Sequence, residues 1–150
     1  MSNALTFFRC IVAAVSAGGL VALAGAADIG QVKVVKGQVS IERDGQIIPG
    51  SVGLRLQGSD VLTTGADGSV GITMSDNSLL SAGPNSVLSL DRYEFDSTTN
   101  QGQFDATLKK GSLAVISGRI AKQTPDAMKV RTPTSTLGVR GTEFVVSAND

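Results

Sequence analysis

The stretch VRTPTSTLGVRGTEF, residues 130–144, decides the fold class, because it is rich in β-branched residues and broken only by proline and glycine. It predicts two extended runs, residues 128–132 and 136–146, with Pro133 at their junction. Proline has no backbone N–H and biases the preceding residue, Thr132, towards an extended conformation, so it suits the end or the edge of a strand. The C-terminal part of the chain is therefore expected to be β-structure.

Two glycines, Gly138 and Gly141, bracket Val139 and Arg140 in the second run. Glycine inside a β-branched run marks a bulge or a close backbone approach. Arg140 and Glu143 are three residues apart, which on a regular strand places them on opposite faces. A bulge at Gly141 would restore the phase and let the guanidinium meet the carboxylate. We expect a structural ion pair, and a ligand-binding Arg140 is the alternative.

The same stretch carries a family resemblance. LGVRGTEF at residues 137–144, with VRTP at 130–133, resembles the signature of the FecR family, periplasmic regulator domains named after the iron-dicitrate transport regulator. Further landmarks follow in order, so the resemblance covers nearly all of residues 31–147. These landmarks are Gly37-Gln38-Val39, GSDVLTTG at 58–65, Asp76-Asn77-Ser78, Pro84-Asn85-Ser86 and Gly111-Ser112-Leu113. The signature residues expected to be structural or partner-binding are Arg131, Thr132, Pro133, Gly138, Val139, Arg140, Gly141, Thr142, Glu143 and Phe144.

The resemblance implies an all-β domain, a compact β-sandwich that is jelly-roll-like or partly solenoidal. In full-length family regulators, this domain lies outside the inner membrane, beyond a cytoplasmic sigma-factor-binding segment and one transmembrane helix. There it passes on a signal from an outer-membrane transporter. This sequence has no such segment before its apolar N-terminus and ends just after the signature. We therefore expect a stand-alone exported domain rather than an anti-sigma regulator.

The composition agrees with one globular domain and excludes some function classes. Of 150 residues, 41% are hydrophobic and 17% are charged, which is ordinary for a folded domain. The formal net charge of +0 gives no electrostatic basis for binding nucleic acid. Aromatic residues make up only 4%, so an aliphatic core is expected. The 18 glycines favour many short strands joined by tight turns.

Residues 1–27 have the order of a secretory signal peptide. Arg9 precedes an apolar run that ends in small residues, so we expect cleavage after Ala26 or Ala27 and a FecR-type domain at 28–150. An uncleaved anchor is the alternative, since the apolar run approaches the ~18 residues of a spanning helix. Ala26 stands where a lipoprotein needs cysteine. The expected product is periplasmic or secreted, with no stable membrane insertion after cleavage.

From residue 28 onward, apolar residues alternate with a period of two, which predicts strands. Asp44-Gly45, Asp67-Gly68 and Asp76-Asn77 predict three consecutive hairpins, the first with a type I′ turn. The expected cross-strand partners are Ile41 with Ile48, Val61 with Met74, Thr63 with Ile72, and Leu79 with Met74.

The second half of the chain predicts a turn at residues 109–112 and then a strand at 113–116. The apolar run in that strand favours a central position covered on both faces. Residues 118–127 have no clear period, and we expect a surface connection that includes a short helical turn.

No catalytic, cofactor or metal site is expected. The sequence has no histidine, and Cys10, its only cysteine, leaves with the signal peptide. Triads that contain histidine and zinc sites therefore lack their residues. The turn aspartates lack the acid ladder of calcium loops. Asp91, Glu94, Asp96 and Asp105 fit turn and edge positions better than a glycosidase pair.

The expected function is a non-enzymatic interaction or sensing module of the bacterial cell envelope, which binds an unidentified envelope protein or polymer. The alternative is a component of cell-surface signalling, linked to a sigma factor or a transporter, that acts with a separate membrane partner. An enzyme is the third and most distant hypothesis.

Overall fold

A computed structural model describes residues 27–140 and 143–149. The apolar N-terminal run, with the expected signal peptide up to Ala26, lies outside the described residues. Gly141, with its expected bulge, and Thr142 also lie outside them. The described helix spans five residues, so nothing in the described ranges forms a helix long and apolar enough to cross a membrane.

Within the described ranges the chain forms twelve strands and one short helix. They are β1 (Asp28–Lys36), β2 (Val39–Arg43), β3 (Gln46–Pro49), β4 (Arg55–Gln57), β5 (Val61–Thr64), β6 (Ser69–Met74), β7 (Leu79–Ala82), β8 (Val87–Phe95), β9 (Gly102–Ile116), α1 (Arg119–Gln123), β10 (Met128–Arg131), β11 (Thr136–Gly138) and β12 (Glu143–Ala148).

The strands form two layers that share β9. Sheet I has the order β3-β2-β5-β8-β9-β10-β11, and sheet II has the order β4-β1-β6-β7-β9-β12. All neighbours are antiparallel except β9 and β10, which are parallel. The first half of β9 pairs in sheet I and its second half pairs in sheet II, so this 15-residue strand joins the layers. The prediction of an all-β fold is confirmed, as an antiparallel sheet curled into a half-barrel.

The core lies between the two layers and is almost wholly aliphatic. Side chains alternate along each strand, so every second residue points into the space between the sheets. Burying one such side chain fully stabilises the fold by about 1.5–3 kcal/mol. The inward residues exposed by 2% or less include Ile41, Leu62, Leu88 and Leu108 from sheet I and Val32, Ile72, Leu80 and Val115 from sheet II.

The first predicted hairpin is confirmed. Strands β2 and β3 pair with Ile41 opposite Ile48. Asp44 and Gly45 have φ angles of 52° and 75°, as a type I′ turn requires at both central residues.

The second predicted hairpin is wrong, because β5 and β6 do not pair with each other. Strand β5 lies between β2 and β8 in sheet I, whereas β6 lies between β1 and β7 in sheet II. The chain changes layer between Gly65 and Gly68, where the Gly65 N–H donates to the Gln38 carbonyl at 2.9 Å. A Cβ on Gly68 would collide with the same carbonyl oxygen. The chain therefore changes layer here because it packs closely against a distant segment, and not because of a local turn.

The third predicted hairpin exists, but its register is shifted by one residue. Leu79 lies opposite Thr73, not Met74, because the loop contains three residues and ends with Asn77 at a φ of 67°. Side chains alternate between faces, so this shift turns Leu79 outward, 44% exposed, and buries Leu80.

The predicted turn at residues 109–112 is wrong, since β9 runs through it without interruption. Gly111 has a φ of +92° and bends the strand at the point where it passes from one sheet to the other. The second half of β9, residues 113–116, is central but covered on one face only, because Leu113 is buried while Ile116 is 43% exposed. Helix α1 confirms the expected helical turn.

Candidate functional site

The signature stretch forms a hairpin in sheet I and then crosses to sheet II. The predicted junction at Pro133 is confirmed, because β10 and β11 are joined by a turn in which the Thr132 N–H donates to the Ser135 carbonyl at 2.7 Å. The Ser135 N–H donates to Thr132 Oγ1 at 3.1 Å. The single extended run predicted for residues 136–146 is wrong, since β11 ends at Gly138 and β12 begins at Glu143 in the other sheet.

Arg140 binds Asp126, so the expected ion pair between Arg140 and Glu143 is wrong. Its Nε donates to Asp126 Oδ1 at 3.3 Å and its Nη2 donates to Oδ2 at 2.9 Å. The hydrogen bond from Arg140 holds the pKa of Asp126 below its ordinary value. Both side chains are open to solvent, with 74% and 48% exposed. Arg140 and Glu143 do not share a strand, because the chain leaves β11 of sheet I before Arg140 and enters β12 of sheet II at Glu143.

Local geometry places Asp126 beside Arg140. Pro125 and Asp126 occupy the centre of a turn closed by the Ala127 N–H, which donates to the Thr124 carbonyl at 3.2 Å. Asp126 has a φ of +67°, as at the third residue of a type II turn. A Cβ on Gly138 would lie 2.8 Å from Asp126 Oδ1, so the glycine leaves room for the carboxylate. The Pro-Asp pair is the sequence signal that could have found this turn.

A shallow cavity of about 260 Å³ adjoins the Arg140–Asp126 pair. Leu137 and Val145 are 39% and 69% exposed, and Phe144 is half-buried. The cavity is lined by Leu137, Gly138, Val139, Arg140, Phe144 and Val145. We call Asp126 together with these six residues the signature surface. It combines an apolar hollow with an exposed guanidinium, which suits a partner that offers an apolar side chain beside a carboxylate.

The other signature residues also lie on the surface, with one exception. Val139 is 3% exposed, and its N–H donates to the Met128 carbonyl at 3.0 Å. The signature residues that are exposed or half-buried are Arg131, Thr132, Pro133, Gly138, Arg140, Glu143 and Phe144. Among the described residues the signature is therefore mainly a surface feature and not part of the core.

Asp76, a buried carboxylate in the turn between β6 and β7, organises a polar network. Asp76 is 1% exposed and accepts hydrogen bonds from Ser78 N at 3.1 Å, Ser78 Oγ at 2.7 Å and the Tyr93 hydroxyl at 3.1 Å. It also accepts from the Ile120 N–H at 3.2 Å. These bonds tie the β6–β7 turn to β8 and to the start of α1. No local pattern signals this network, since its members are far apart in sequence.

The Tyr93 hydroxyl gives this network a testable pH dependence. Burial, and then the charge of Asp76, raise the pKa of Tyr93 above its ordinary value of 10.0. The unfolded chain therefore ionises this tyrosine at a lower pH than the folded domain does. Its contribution to stability is complete below about pH 10 and is lost as the pH rises above that value. We expect the free energy of unfolding to fall more steeply in alkali for the wild type than for Tyr93→Phe.

Tyrosinate absorbance can follow this ionisation directly, because Tyr93 is the only tyrosine and the chain has no tryptophan. In the folded domain, the absorbance change is expected well above pH 10, together with unfolding. Tyrosinate that appears near pH 10 while the fold stays intact would contradict the placement of this hydroxyl.

A second buried carboxylate stabilises the domain at the landmark GSD of residues 58–60. Asp60 is fully buried and accepts from Arg43 Nε at 2.9 Å and Nη2 at 2.7 Å. The Gln57 N–H adds a third bond at 2.9 Å. The hydrogen bond to Asp60 raises the pKa of Arg43 above its ordinary value. A shielded ion pair of the structural kind expected for Arg140 thus lies between β2 and the β4–β5 turn.

The expected turn or edge position is wrong for Asp105, which is 7% exposed on β9 between β8 and β10. Its Oδ2 accepts from Gln103 Nε2 at 3.2 Å, whereas its Oδ1 has no hydrogen-bond partner among the described residues.

Asp91 accepts from the hydroxyls of Ser89 and Thr107. Glu94 pairs with Arg92 at 3.2 Å on the surface. Within the described part of the chain, no group of three or more His, Cys, Asp or Glu residues could hold a metal ion.

Comparison with known proteins agrees with the signature. No curated protein and no solved structure matches the chain. The family model described as "FecR protein" matches residues 60–150, which is more than half of the sequence. Strands β1 to β4 precede that match, yet β1 lies inside sheet II and β2 inside sheet I, so both complete the same fold. The chain therefore belongs to the FecR family, whose domains act in signalling regulation at the cell envelope.

Proposed function

We propose that this protein is a non-enzymatic, exported interaction module of the bacterial cell envelope, and that it binds an envelope protein or polymer through the signature surface. Export is supported by the order of residues 1–27, and the envelope by family membership. The observation that carries the proposal is the exposure of Arg140 beside an apolar cavity.

An arginine that serves folding is expected to be largely shielded and to pair with a buried carboxylate, as Arg43 does with Asp60, where the two side chains are 21% and 1% exposed. Arg140 differs, because 74% of its side chain is exposed. Exposed ion pairs contribute little to stability, since water solvates both charges in the unfolded state. Arginine and aromatic residues are, however, the side chains that most often anchor interfaces. Arg140 and Phe144 are therefore the signature residues that we propose as anchors for the partner.

A second candidate function is a role in cell-surface signalling together with a separate membrane partner. Family membership favours this candidate, because FecR domains are regulatory. The two candidates differ in the partner, which is an integral membrane protein in the second case.

Arg140→Ala is expected to leave the melting temperature nearly unchanged and to abolish partner capture. The bait is purified protein, and the captured material comes from envelope extract after chemical crosslinking. The matched control is Arg92→Ala, which removes an equally superficial pair, Arg92–Glu94, on strand β8. That control should retain both stability and capture.

Two results would contradict the proposal. Unfolding of the Arg140→Ala domain would show that the residue serves the fold. Undiminished capture by a folded Arg140→Ala domain would show that the partner binds elsewhere.

A further inference from the structure

The outer face of sheet II is apolar and uncovered in a band that crosses five strands. In one row, neighbouring strands pair Val34 with Gly71, Gly71 with Ser81, Ser81 with Ala114, and Ala114 with Val145. The three central residues are small, so the row forms the floor of a groove with a volume of about 290 Å³. Valines stand at both ends of the row, and they are 50% and 69% exposed.

The next row along the strands adds two large apolar side chains. Thr73 pairs with Leu79, Leu79 with Ile116, and Ile116 with Glu143. Leu79 and Ile116 are 44% and 43% exposed. Single exposed apolar residues are ordinary, but a contiguous patch on a regular sheet is typical of an interaction surface.

The two charged residues that line the groove lie at its opposite ends. Lys33 belongs to β1, and Glu143 begins β12. Four strand spacings separate these two strands, which amounts to about 19 Å at about 4.8 Å per spacing. The Lys33 ammonium donates to Gln31 Oε1 at 2.8 Å, a neutral acceptor. Among the described residues, neither Lys33 nor Glu143 has an ion-pair partner.

We propose that a second copy of this chain covers the face, with a two-fold axis that runs along the central strand β7. Such an axis lays β1 over β12 of the other copy, so Lys33 lies opposite Glu143 of the partner subunit, and Glu143 lies opposite Lys33 of the partner subunit. A two-fold axis perpendicular to the strands would instead lay each strand over its own counterpart and bring residues of like charge together. The charges thus favour the axis along β7. In that arrangement Leu79 lies on the axis and contacts Leu79 of the partner subunit.

The area of the face is that of a small interface. Five strands at about 4.8 Å and six residues at about 3.3 Å give roughly 480 Å² on each copy. About 1,000 Å² over both copies is at the low end for specific interfaces. The dimer is therefore expected to form reversibly and to dissociate on dilution.

Sedimentation of the purified protein over a range of concentrations tests the proposal, with the monomer–dimer equilibrium as its readout. Ile116→Asp places a charge in the apolar face without touching the core and should abolish the dimer. Ile47→Asp is the control, since Ile47 is 76% exposed on β3 of sheet I and should leave the equilibrium unchanged. Thermal melts confirm that both variants are folded.

A charge swap tests the orientation of the two copies. Lys33→Glu and Glu143→Lys should each weaken the dimer about tenfold or more, and the double variant should restore it. Restoration identifies a second copy as the occupant, because no other partner would carry the complementary change. A protein that stays monomeric at every concentration would overturn the proposal and leave the face to a different partner. Dimers that survive Ile116→Asp, or single variants that the second change does not rescue, would also overturn it.

This inference goes beyond the proposed function. Val145 belongs both to the signature surface and to the outer face of sheet II, so dimerisation and partner capture are tested at residues that belong to one surface only. Arg140→Ala should leave the sedimentation of the protein unchanged, whereas Ile116→Asp acts on the dimer and keeps the Arg140–Asp126 pair.

Discussion

Gly111→Ala is expected to destabilise the domain by about 2–6 kcal/mol, the sum of a positive-φ penalty and a steric collision. Gly111 has a φ of +92°, where side chains are strained. A Cβ there would meet Ser86 Oγ and lie 2.5 Å from Ser86 Cα, so the backbone of a neighbouring segment would have to move. A total stability of about 5–15 kcal/mol leaves little reserve for such a loss.

The collision would also break the contacts that join the layers at this bend. The Ser112 N–H donates to Ser86 Oγ at 3.0 Å, and that hydroxyl approaches the Ser112 carbonyl at 3.2 Å. These bonds hold β9 where it passes from sheet I to sheet II. If they are lost, the two halves of the strand are free to pair out of register.

Alanine variants at two other glycines distinguish the positive-φ penalty from the steric collision in urea unfolding experiments. Gly45 has a φ of +75° but open space around it, so Gly45→Ala should cost only about 1–2 kcal/mol. Gly58 has neither constraint, and Gly58→Ala should be close to neutral. If Gly111→Ala were no worse than Gly45→Ala, the close approach to Ser86 would be unimportant.

Gly111 also shows where prediction from sequence stops. A Lys-Lys-Gly-Ser segment needs positive φ at glycine both in a turn and in a bent strand, so the residues alone do not distinguish the two. The Asp44-Gly45 hairpin was predictable with its register because turn chemistry is local. The crossing at residues 65–68 was not, since it depends on the carbonyl of Gln38, nearly thirty residues earlier.

In the signature stretch, too, local features were predictable and contacts between distant segments were not. The turn at Pro133 was predictable from proline alone. The partner of Arg140 was not, because Asp126 reaches it from a separate turn, through the space left by Gly138. The family resemblance pointed to residues that lie mainly on the surface, and their exposure could not be read from the signature itself.

Asp76→Ala is expected to cost roughly 3–6 kcal/mol, because it removes the acceptor of four hydrogen bonds at a buried site. The donors left behind belong to the β6–β7 turn, to β8 and to the first residues of α1. A buried donor without an acceptor costs about 1–3 kcal/mol, less where water can enter. Helix α1 is too short to persist without this anchor, so it should unfold first.

A graded series of variants tests this assignment in urea unfolding, with hydrogen exchange at residues 118–123 as a local readout. Tyr93→Phe removes one donor and should cost about 1 kcal/mol. Asp76→Asn keeps one acceptor oxygen and should fall between Tyr93→Phe and Asp76→Ala. In Asp76→Ala the amides of α1 should exchange fastest, even where the rest of the sheet stays protected. A loss no greater than that of Tyr93→Phe, with α1 still protected, would show that the buried carboxylate does not hold these three elements together.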